Sequence, residues 1–448
     1  MPFLISLKTQ QYTLIKKLLT LFLCALLLIF FINFYLFPLN LTISSTQNLN
    51  VINDQIVINS SFHPQVDKKE LAGNKSEPVN KKVPGNISTE IERKCDYTEG
   101  KWVKDKKGPL YEGTSCNTIK DGQNCMSHGR PDKGYLYWRW MPKECELPRF
   151  DPKMFLEIVR NKHVAFVGDS IARNQLESLM CMLATASKPK LLFKEGEENK
   201  FRKWKFPSYN ATVSIYWSPF LVKGVEKKDD MKYNLIYLDS INERWAKDLF
   251  HMNLIVLSVG HWFLNPSLYY QEDKVLGCHV CRGENYTNIS FFDILGKVLN
   301  KTLQTVIERK SDSMGDFGVF VTTFSPHHFE GEWDKFGACP KTAPYSIGEK
   351  NLEGMDADMR SVQIREVKEA KEKFKGLGNS RLEALDVTKV ALLRPDGHPG
   401  PYMYKNPFAN GIGERVHNDC VHWCLPGPID TWNEILLDVL KRWHSREL

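Results

Sequence analysis

Two short segments, far apart along the chain, carry the residue types that nucleophilic catalysis needs. Gly168-Asp169-Ser170 follows an apolar run, and Asp419 precedes His422 by three residues in the segment DCVHWC. A histidine can take the proton of a serine hydroxyl, and a carboxylate beside it can hold the imidazole in the required tautomer. Ser170, His422 and Asp419 are therefore candidates for the nucleophile, the base and the orienting acid of an acyl transfer.

Both segments also allow a purely structural interpretation, and other histidines compete for the role of base. Asp and Ser are favoured at helix N-caps, so the first segment could simply begin a helix. The Asp–His pair could cap the terminal helix. None of the rival histidines has an aspartate three residues earlier in a loop bounded by cysteines; they are His261, His327, His328 and His398.

The elements around Ser170 are predicted from hydrophobic spacing. His163–Gly168 is a short apolar run, and apolar side chains recur at helical spacing over Ile171–Leu183. A serine at such a strand-to-helix turn exposes its hydroxyl above the sheet, while the helix N-terminus offers unpaired backbone N–H groups. Such donors can stabilise the oxyanion of acyl transfer.

Strands and helices alternate along the rest of the chain. Further strands are predicted at Thr212–Trp217, Tyr233–Asp239, Leu254–Val259, Gly318–Thr323 and Leu382–Asp386. Helices are predicted at Ile241–Phe250, Phe291–Glu308, Gly354–Lys375 and Ile429–Trp443. This alternation favours an α/β fold with a mostly parallel sheet covered on both faces. We expect 150–448 to form one large domain and the Cys-rich residues 95–149 to form a lobe packed against it.

Composition restricts the class of protein. The 448 residues include 60 Lys and Arg against 53 Asp and Glu, a net charge of +7, and 42% are hydrophobic. These values suit a globular protein and exclude a wholly disordered chain or a collagen. Lys8, Lys16 and Lys17 precede the first acidic residue, Asp54, so the remaining chain is nearly neutral. This balance argues against nucleic-acid binding through phosphate contacts.

Residues 18–37 form an uncharged apolar run, LLTLFLCALLLIFFINFYLF. A helix of this length spans a hydrocarbon core of about 30 Å. A cleaved signal peptide is the alternative, but its apolar stretch is usually shorter and ends in small residues. Lysines flank the amino side, and no Lys or Arg follows the run until Lys68. This asymmetry predicts a cytoplasmic tail at 1–17, a signal anchor at 18–37 and a lumenal remainder.

Residues 38–94 are rich in Asn, Ser, Lys and Pro and show no sustained period. Such a segment cannot bury enough apolar surface to offset its chain entropy, so we expect a flexible lumenal stem. Sequons of the type N-x-[ST] suit a lumenal chain that can be glycosylated. Four lie in the stem, at Asn40, Asn59, Asn74 and Asn86, and four beyond it, at Asn210, Asn285, Asn288 and Asn300.

Ten of the 11 cysteines lie beyond the apolar run, and Cys24 lies within it. An even number in an oxidising compartment favours disulfides. Cys278 and Cys281 could instead belong to a zinc site, but no second pair of ligands at comparable spacing lies nearby. A local or labile disulfide between them is the favoured interpretation, and no metal site is predicted.

Two long blocks resemble the signature blocks of the plant trichome birefringence-like family of Golgi polysaccharide O-acetyltransferases. They are VAFVGDSIARNQLESLMCML and DCVHWCLPGPIDTWNEIL, in the expected order at opposite ends of the domain. The segment from Cys95 to Trp140 resembles that family's Cys-rich amino-terminal domain. The resemblance implies an SGNH/GDSL-hydrolase-like three-layer α/β sandwich with a Cys-rich N-terminal lobe, here behind a single N-terminal transmembrane helix.

The resemblance assigns the nucleophile to Ser170, the base to His422 and the orienting acid to Asp419. Its other candidate contacts to the substrate or the oxyanion are Gly168, Asp169, Arg173, Asn174, Gly260 and His261. In the central block, Ser258-Val259-Gly260-His261-Trp262, Ser258 stands where the family usually has Asn. The resemblance also implies four disulfides: Cys95–Cys145, Cys116–Cys181, Cys125–Cys424 and Cys339–Cys420.

The implied reaction transfers an acetyl group, through an acetyl-serine, to a hydroxyl of a hemicellulose in the Golgi lumen. The stretches GCHVC and FSPHHFEGEW resemble members that act on xyloglucan or glucomannan, with xylan as the nearest rival acceptor. No bound cofactor is expected. The co-substrate is an acetyl donor, either acetyl-CoA or an acetylated carrier, and an acetyl-delivering membrane protein is a possible partner.

Two other functions stay open at this point. An acetylesterase of the same architecture would share the chemistry up to the acyl-enzyme. A non-catalytic wall-glycan-binding protein would use aromatic side chains alone. The candidates for sugar stacking, each of which could equally be a core residue, are Tyr135, Tyr137, Trp138, Trp140, Trp217 and Trp262.

Overall fold

The computed structural model describes residues 95–196, 200–283, 285–311 and 317–445. All of them fall within one structural unit, Thr89–Leu448. The predicted tail, anchor and stem (1–17, 18–37 and 38–94) lie outside the described residues. In the described ranges, none of the helices combines the length and the apolar character of a membrane span.

The regular elements are given in chain order. The strands are β1 (Gly100–Lys104), β2 (Trp138–Pro142), β3 (His163–Gly168), β4 (Lys190–Glu195), β5 (Phe201–Phe206), β6 (Ala211–Trp217), β7 (Val222–Val225), β8 (Asn234–Ile241), β9 (Leu254–Ser258), β10 (Ser267–Gln271), β11 (Lys274–His279), β12 (Gly318–Thr322) and β13 (Arg381–Leu385). The α-helices are α1 (Pro152–Ile158), α2 (Ser170–Ala184), α3 (Glu243–Ala246), α4 (Phe291–Lys310), α5 (Gly354–Phe374), α6 (Thr388–Leu392) and α7 (Asp430–His444).

A seven-stranded sheet forms the centre of the protein, in the order β13-β12-β9-β3-β6-β5-β4. The first five strands of this order are parallel, and β5 and β4 continue the sheet antiparallel. The prediction of a mostly parallel sheet is therefore confirmed. Because β3 lies in the middle, the turn that follows it opens at the carboxyl edge of the sheet, where α/β proteins place their sites.

Alternate residues of β3 enter two separate cores. Val164 and Phe166 pack with α1, α2, α7 and the Cys-rich lobe on one face. Ala165 and Val167 pack with α4 and α5 on the other face. Strand β3 is buried on both sides, which is why its sequence is a continuous apolar run rather than an alternating one. Helices thus cover both faces of the sheet.

The structure differs from the predicted elements in two places. The strand predicted at Tyr233–Asp239 does form, as β8 (Asn234–Ile241), but it belongs to a separate four-stranded sheet of order β11-β10-β8-β7. The helix predicted over Ile241–Phe250 is wrong in extent. Ile241 ends β8, and only Glu243–Ala246 is α-helical, followed by a 3-10 turn at Leu249–His251. Asn242 caps the short helix by accepting a hydrogen bond from Arg244 N–H, so the helix begins later than hydrophobic spacing alone indicates.

The Cys-rich lobe packs directly against the sheet domain. Trp102 and Trp140, from its small β1–β2 sheet, lie in the same core as α2 and α7. The Trp102 indole N–H donates to the Val390 carbonyl oxygen (3.1 Å). The Tyr111 hydroxyl donates to Asp430, at the start of α7 (3.0 Å). The lobe therefore supports the helices that flank the predicted catalytic segments.

Candidate active site

Ser170 is the first residue of α2, and Asp169 alone separates it from the end of β3. The turn requires a glycine at 168, because a Cβ there would lie 1.8 Å from the Ser258 carbonyl oxygen. Asp169, not Ser170, is the helix N-cap. The half-buried Ser170 has no hydrogen-bond partner for its hydroxyl or its backbone N–H among the described residues. Both groups are thus available to a substrate.

Asp169 shapes this turn from within the protein. Its side chain is 1% exposed and accepts hydrogen bonds from the N–H groups of Ile171 (2.9 Å) and Gly260 (3.1 Å). Burial raises the pKa of Asp169 to about 6, against the opposing effect of those hydrogen bonds. The Gly260 N–H is therefore committed to Asp169 in this structure, which argues against the expectation that it contacts an oxyanion.

Asp419 and His422 form a hydrogen-bonded pair. Asp419 Oδ2 accepts from His422 Nδ1–H at 2.7 Å, and Oδ1 accepts from the backbone N–H groups of Val421 (3.0 Å) and His422 (2.9 Å). Burial alone would raise the pKa of Asp419, but attraction to His422 and these hydrogen bonds bring that pKa well below its usual range. Asp419 is an ionised carboxylate that fixes both the ring and the loop. The pair lies before α7, whose first residue is Asp430, and does not cap it.

His422 points its second nitrogen into the site. Its side chain is 20% exposed, and Nε2 is buried with no hydrogen-bond partner in the described part of the chain. Because Nδ1–H donates to Asp419, Nε2 is the atom that can accept a proton. The hydrogen bond expected between Ser170 Oγ and His422 is not formed here. Catalytic hydrogen bonds of this type often tighten only when substrate is bound.

Asn174 connects the two catalytic segments. Its Oδ1 accepts from the Trp423 N–H (2.7 Å), and its Nδ2 donates to the Trp423 carbonyl oxygen (3.2 Å). Asn174 is fully buried and Arg173 is 2% exposed, with its guanidinium over the Trp217 ring at 5.4 Å. The expectation that these two side chains contact substrate is therefore not supported. Asn174 instead fixes the residue after His422 one helical turn from Ser170.

His261 belongs to the same site. Its ring stacks on Phe324, with centroids 4.6 Å apart, and its Nε2 is buried without a partner among the described residues. Burial, together with the nearby charges of His422 and His327, lowers the pKa of His261 to about 3. Its other nitrogen is hydrogen bonded to the Ser325 backbone. His261 is thus a neutral imidazole whose Nε2 can only accept a hydrogen bond.

Two of the other rival bases, His398 and His328, have structural roles. His398 Nδ1–H donates to the His422 carbonyl oxygen, His398 Nε2 lies 2.7 Å from His328 Nδ1, and His328 Nε2 contacts the Leu392 carbonyl oxygen. Arg130 donates to the carbonyl oxygens of His398 and Asp396, both at 2.7 Å. Arg130 was not predicted from the sequence, because no local pattern connects a lobe residue to a loop more than 260 positions away.

Five disulfides hold the described residues together. They are Cys95–Cys145, Cys116–Cys181, Cys125–Cys424, Cys339–Cys420 and Cys278–Cys281. The first four are the pairs that the resemblance implies, and the last is the favoured local disulfide. Cys420 and Cys424 lie on either side of His422, so the catalytic loop is attached covalently to the lobe and to the loop at Cys339. Across the described ranges, no group of three or more His, Cys, Asp or Glu is placed to hold a metal.

The sequons beyond the stem differ in how far their asparagines are exposed. Asn210, Asn285 and Asn288 are exposed, whereas Asn300 is half-buried in α4 and its amide donates to Glu366 (3.5 Å). Asn300 is therefore a poor glycosylation candidate.

The six aromatic candidates for sugar stacking also differ in exposure. Tyr135, Trp140 and Trp217 are buried, Trp138 and Trp262 are half-buried, and Tyr137 alone of the six is exposed. Half of the six candidates for sugar stacking are consequently core residues.

Comparisons with known proteins agree with this architecture. Residues 147–439 match the model of the GDSL/SGNH-like acyl-esterase family found in Pmr5 and Cas1p, and 93–146 match the PMR5 N-terminal domain. The chain is 63% identical over 353 residues to xyloglucan O-acetyltransferase 1 of Populus trichocarpa, covering 79% of this chain and 82% of that protein. It is 55% identical over 350 residues to xyloglucan O-acetyltransferase 1 of Arabidopsis thaliana, covering 78% and 81%.

A more distant relative shows the wider group of proteins to which this chain is similar. Protein trichome birefringence-like 25 of Arabidopsis thaliana is 42% identical over 369 residues, 80% of each chain. The chain therefore belongs to the trichome birefringence-like proteins, within the GDSL/SGNH-like acyl-esterase family.

Proposed function

We propose that this protein is an O-acetyltransferase that acetylates hydroxyls of a plant cell-wall hemicellulose, with xyloglucan favoured over glucomannan and xylan. The observation that carries the proposal is the Asp419–His422 pair, whose Nε2 has no partner among the described residues and whose loop is hydrogen bonded to the helix that begins at Ser170. Support for the acceptor comes from the identity of 55–63% to proteins named xyloglucan O-acetyltransferase.

The first step acetylates Ser170. His422 Nε2 accepts the proton of the Ser170 hydroxyl as Oγ attacks the carbonyl carbon of the acetyl donor. The bond from that carbon to the donor's leaving group then breaks, and the leaving group takes the proton from His422. Asp419, held ionised, stabilises the imidazolium that exists between these two transfers.

The second step transfers the acetyl group to sugar. A sugar hydroxyl gives its proton to His422 Nε2 and attacks the acetyl-serine carbonyl; the Ser170 ester bond breaks, and Oγ recovers the proton. The neutral His261 accepts, through Nε2, a hydrogen bond from a neighbouring hydroxyl of the same sugar. Holding the sugar in this way gives its reacting hydroxyl an effective concentration that bulk water lacks.

One donor for the oxyanion can be proposed from the backbone. The N–H groups of Ile171 and Gly260 already donate to Asp169. The Ser170 N–H has no partner in the described ranges, and it lies at the N-terminus of a 15-residue helix. A helix N-terminus favours negative charge, so this N–H is our candidate for one oxyanion donor.

We further propose a cellular setting for this reaction. The apolar run at 18–37 would anchor the protein in the Golgi membrane as a single-pass type II protein, with 38–94 as a stem and the catalytic residues in the lumen. The donor would be acetyl-CoA, an acetylated carrier or an acetyl-delivering membrane protein. Asn210, Asn285 and Asn288 would be open to glycosylation there.

Hydrolysis is the second candidate function, favoured by the acyl-esterase description of the matching family. Both functions share the acetyl-serine and differ only in the acceptor. The purified protein would be incubated with an acetyl donor and deacetylated xyloglucan oligomers, and the products weighed by mass spectrometry. Acetylated oligomers support transfer, whereas release of free acetate alone supports hydrolysis. A wall-glycan-binding protein without catalysis would give neither product, and Ser170→Ala would change nothing.

A further inference from the structure

An exposed aromatic surface lies beside the catalytic loop and has no role in the chemistry described above. It consists of Trp333, Phe336, Tyr404, Phe408 and His417. Trp333 is 51% exposed, Phe336 60% and Tyr404 51%. Apolar side chains exposed together on a soluble protein usually mark a surface that binds something.

The rings of this aromatic surface form two contiguous sets. His417 lies between Trp333 and Tyr404, with ring centroids 4.8 Å and 6.5 Å away and tilted rather than perpendicular planes. Phe336 contacts Phe408 edge-to-face at 5.5 Å. The first set is therefore a run of three rings, of which the outer two, Trp333 and Tyr404, are each about half exposed. Such a run suits a ligand made of consecutive flat units.

Hydrogen bonds fix the backbone under these rings. The Asn418 N–H donates to the Trp333 carbonyl oxygen (2.8 Å), and the Asn418 amide donates to the carbonyl oxygens of Trp333 (3.2 Å) and Lys335 (2.8 Å). The Val416 N–H donates to the Asp334 carbonyl oxygen (2.9 Å). The surface is thus preorganised, so a ligand would lose little free energy in ordering it.

The same bonds place the aromatic surface next to the site. Asn418, which holds the Trp333 backbone, immediately precedes Asp419 in the chain. The Cys339–Cys420 disulfide joins the Trp333 loop to the residue on the other side of Asp419. A long ligand bound at Trp333 can therefore extend to the catalytic residues.

We propose that this aromatic surface binds the backbone of the acceptor polysaccharide, a neutral chain of linked pyranose rings, while one of its sugars is acetylated at Ser170. Pyranose rings have apolar C–H faces and hydroxyls at their edges, which match exposed aromatic faces bordered by polar groups. The polar border is here the Asp334–Arg415 ion pair and the exposed Lys335. Charges of both signs favour a neutral polymer over a strongly charged partner. The proposal rests on the proposed transferase function.

Binding can be tested without turnover. In full-length Ser170→Ala protein, affinity electrophoresis through gels containing deacetylated xyloglucan would report the dissociation constant for the polymer. Trp333→Ala and Tyr404→Ala should each weaken binding about tenfold, or about 1.4 kcal/mol, as expected for a central aromatic contact. Trp333→Phe, which keeps a ring, should retain part of the affinity. The bonds beneath Trp333 use its carbonyl oxygen and persist in these variants.

Phe250→Ala is the matched control, because Phe250 is 67% exposed and outside the aromatic surface. It should bind the polymer like the parent protein. In the active protein, Trp333→Ala should raise KM for the polymer by a similar factor. Unchanged affinity in the Trp333→Ala/Tyr404→Ala double variant, or an equal loss with Phe250→Ala, would overturn the proposal. The proposal would also be overturned if a protein bound to this surface and its binding left the affinity for the polymer unchanged. Failure of acetyl transfer with polymer binding intact would count against the proposed chemistry alone.

Discussion

Asn174 holds Trp423 through both atoms of its amide, at 2.7 Å and 3.2 Å, and thereby joins the helix that carries Ser170 to the loop that carries His422. The two segments are separated by about 250 residues of sequence, and this contact fixes their positions relative to each other. The nucleophile and its base depend on a side chain that takes no part in the reaction.

Removing this contact should lower both stability and activity. Asn174→Ala leaves the Trp423 N–H and carbonyl oxygen buried and unpaired, which costs about 1–3 kcal/mol for each group. We expect a lower free energy of unfolding and a fall in kcat of about tenfold or more, because His422 is no longer held in position relative to Ser170. Urea unfolding and steady-state kinetics would measure the two effects.

The control for this prediction is Asn433→Ala. Asn433 is also fully buried, and its amide donates to the Gln175 carbonyl oxygen and the Ser178 hydroxyl, farther along the same helix. This variant should lose similar stability while the folded protein keeps its kcat. Equal kcat losses in both variants would contradict a specific role for Asn174.

Removing a disulfide next to His422 should lower stability and activity more than removing the local Cys278–Cys281 disulfide. Cys125→Ala/Cys424→Ala opens a link between residues 299 positions apart, whereas Cys278→Ala/Cys281→Ala opens one that spans 3. Loop-closure entropy grows with loop length, so we expect a loss of about 2–5 kcal/mol for the first pair and much less for the second. Activity should be largely lost only in the first pair. Comparable melting temperatures and activities in the two variants would show that the catalytic loop is fixed by other contacts.

Stability should depend on pH through Glu434. Burial raises the pKa of Glu434 to about 7, against the attraction of Arg139 and Arg149. The folded state therefore holds this proton more tightly than the unfolded state does, and the free energy of unfolding falls as pH rises from about 4.3 to 7. Glu434→Gln cannot titrate. Between pH 4.5 and 7.5 it should lose roughly 2–3 kcal/mol less stability than the parent protein.

Urea unfolding at several pH values would measure this difference. Glu308→Gln, at an exposed position of α4, serves as the control and should follow the parent curve. If Glu434→Gln has the same pH dependence as the parent protein, Glu434 does not retain its proton in the folded state.

His261 should affect transfer to sugar more than acetylation of Ser170. His261→Phe keeps the stacking on Phe324 and removes the accepting Nε2. Losing one hydrogen bond from a neighbouring hydroxyl of the acceptor sugar should lower the rate of oligomer acetylation about tenfold to a hundredfold. Single-turnover measurements would separate formation of the acetyl-enzyme from its transfer. His327→Phe, at an exposed neighbouring position, should change neither step, and a slower first step in His261→Phe would refute this role.

The sequence was sufficient to predict much of the fold around the site. The apolar run of β3 and the helical spacing of α2 are local signals. Gly168 lies at the turn between them, and the structure explains the glycine, since a Cβ at this position would meet the Ser258 carbonyl oxygen. The Asp419–His422 pair is also local, only three residues apart. Neither prediction needs knowledge of distant contacts.

Other features depend on contacts that no local pattern contains. Arg173 and Asn174 follow Ser170 and were expected to contact substrate, yet packing against Trp217 and Trp423 buries both. Gly260 was expected near an oxyanion, but its N–H donates to Asp169 from the neighbouring strand turn. Strand β8 has the same apolar character as the central strands and pairs in a separate sheet. Each difference arises from tertiary packing, which local spacing does not encode.

The most direct test of the proposed mechanism is the mass of the peptide that carries Ser170. The protein would be incubated with an acetyl donor, quenched in acid during turnover, digested and analysed by mass spectrometry. We expect this peptide to gain the mass of one acetyl group, to lose it when deacetylated oligomers are added, and to remain unmodified in Ser170→Ala. Continued transfer to oligomers with no acetyl group ever detected on Ser170 would contradict the proposed mechanism.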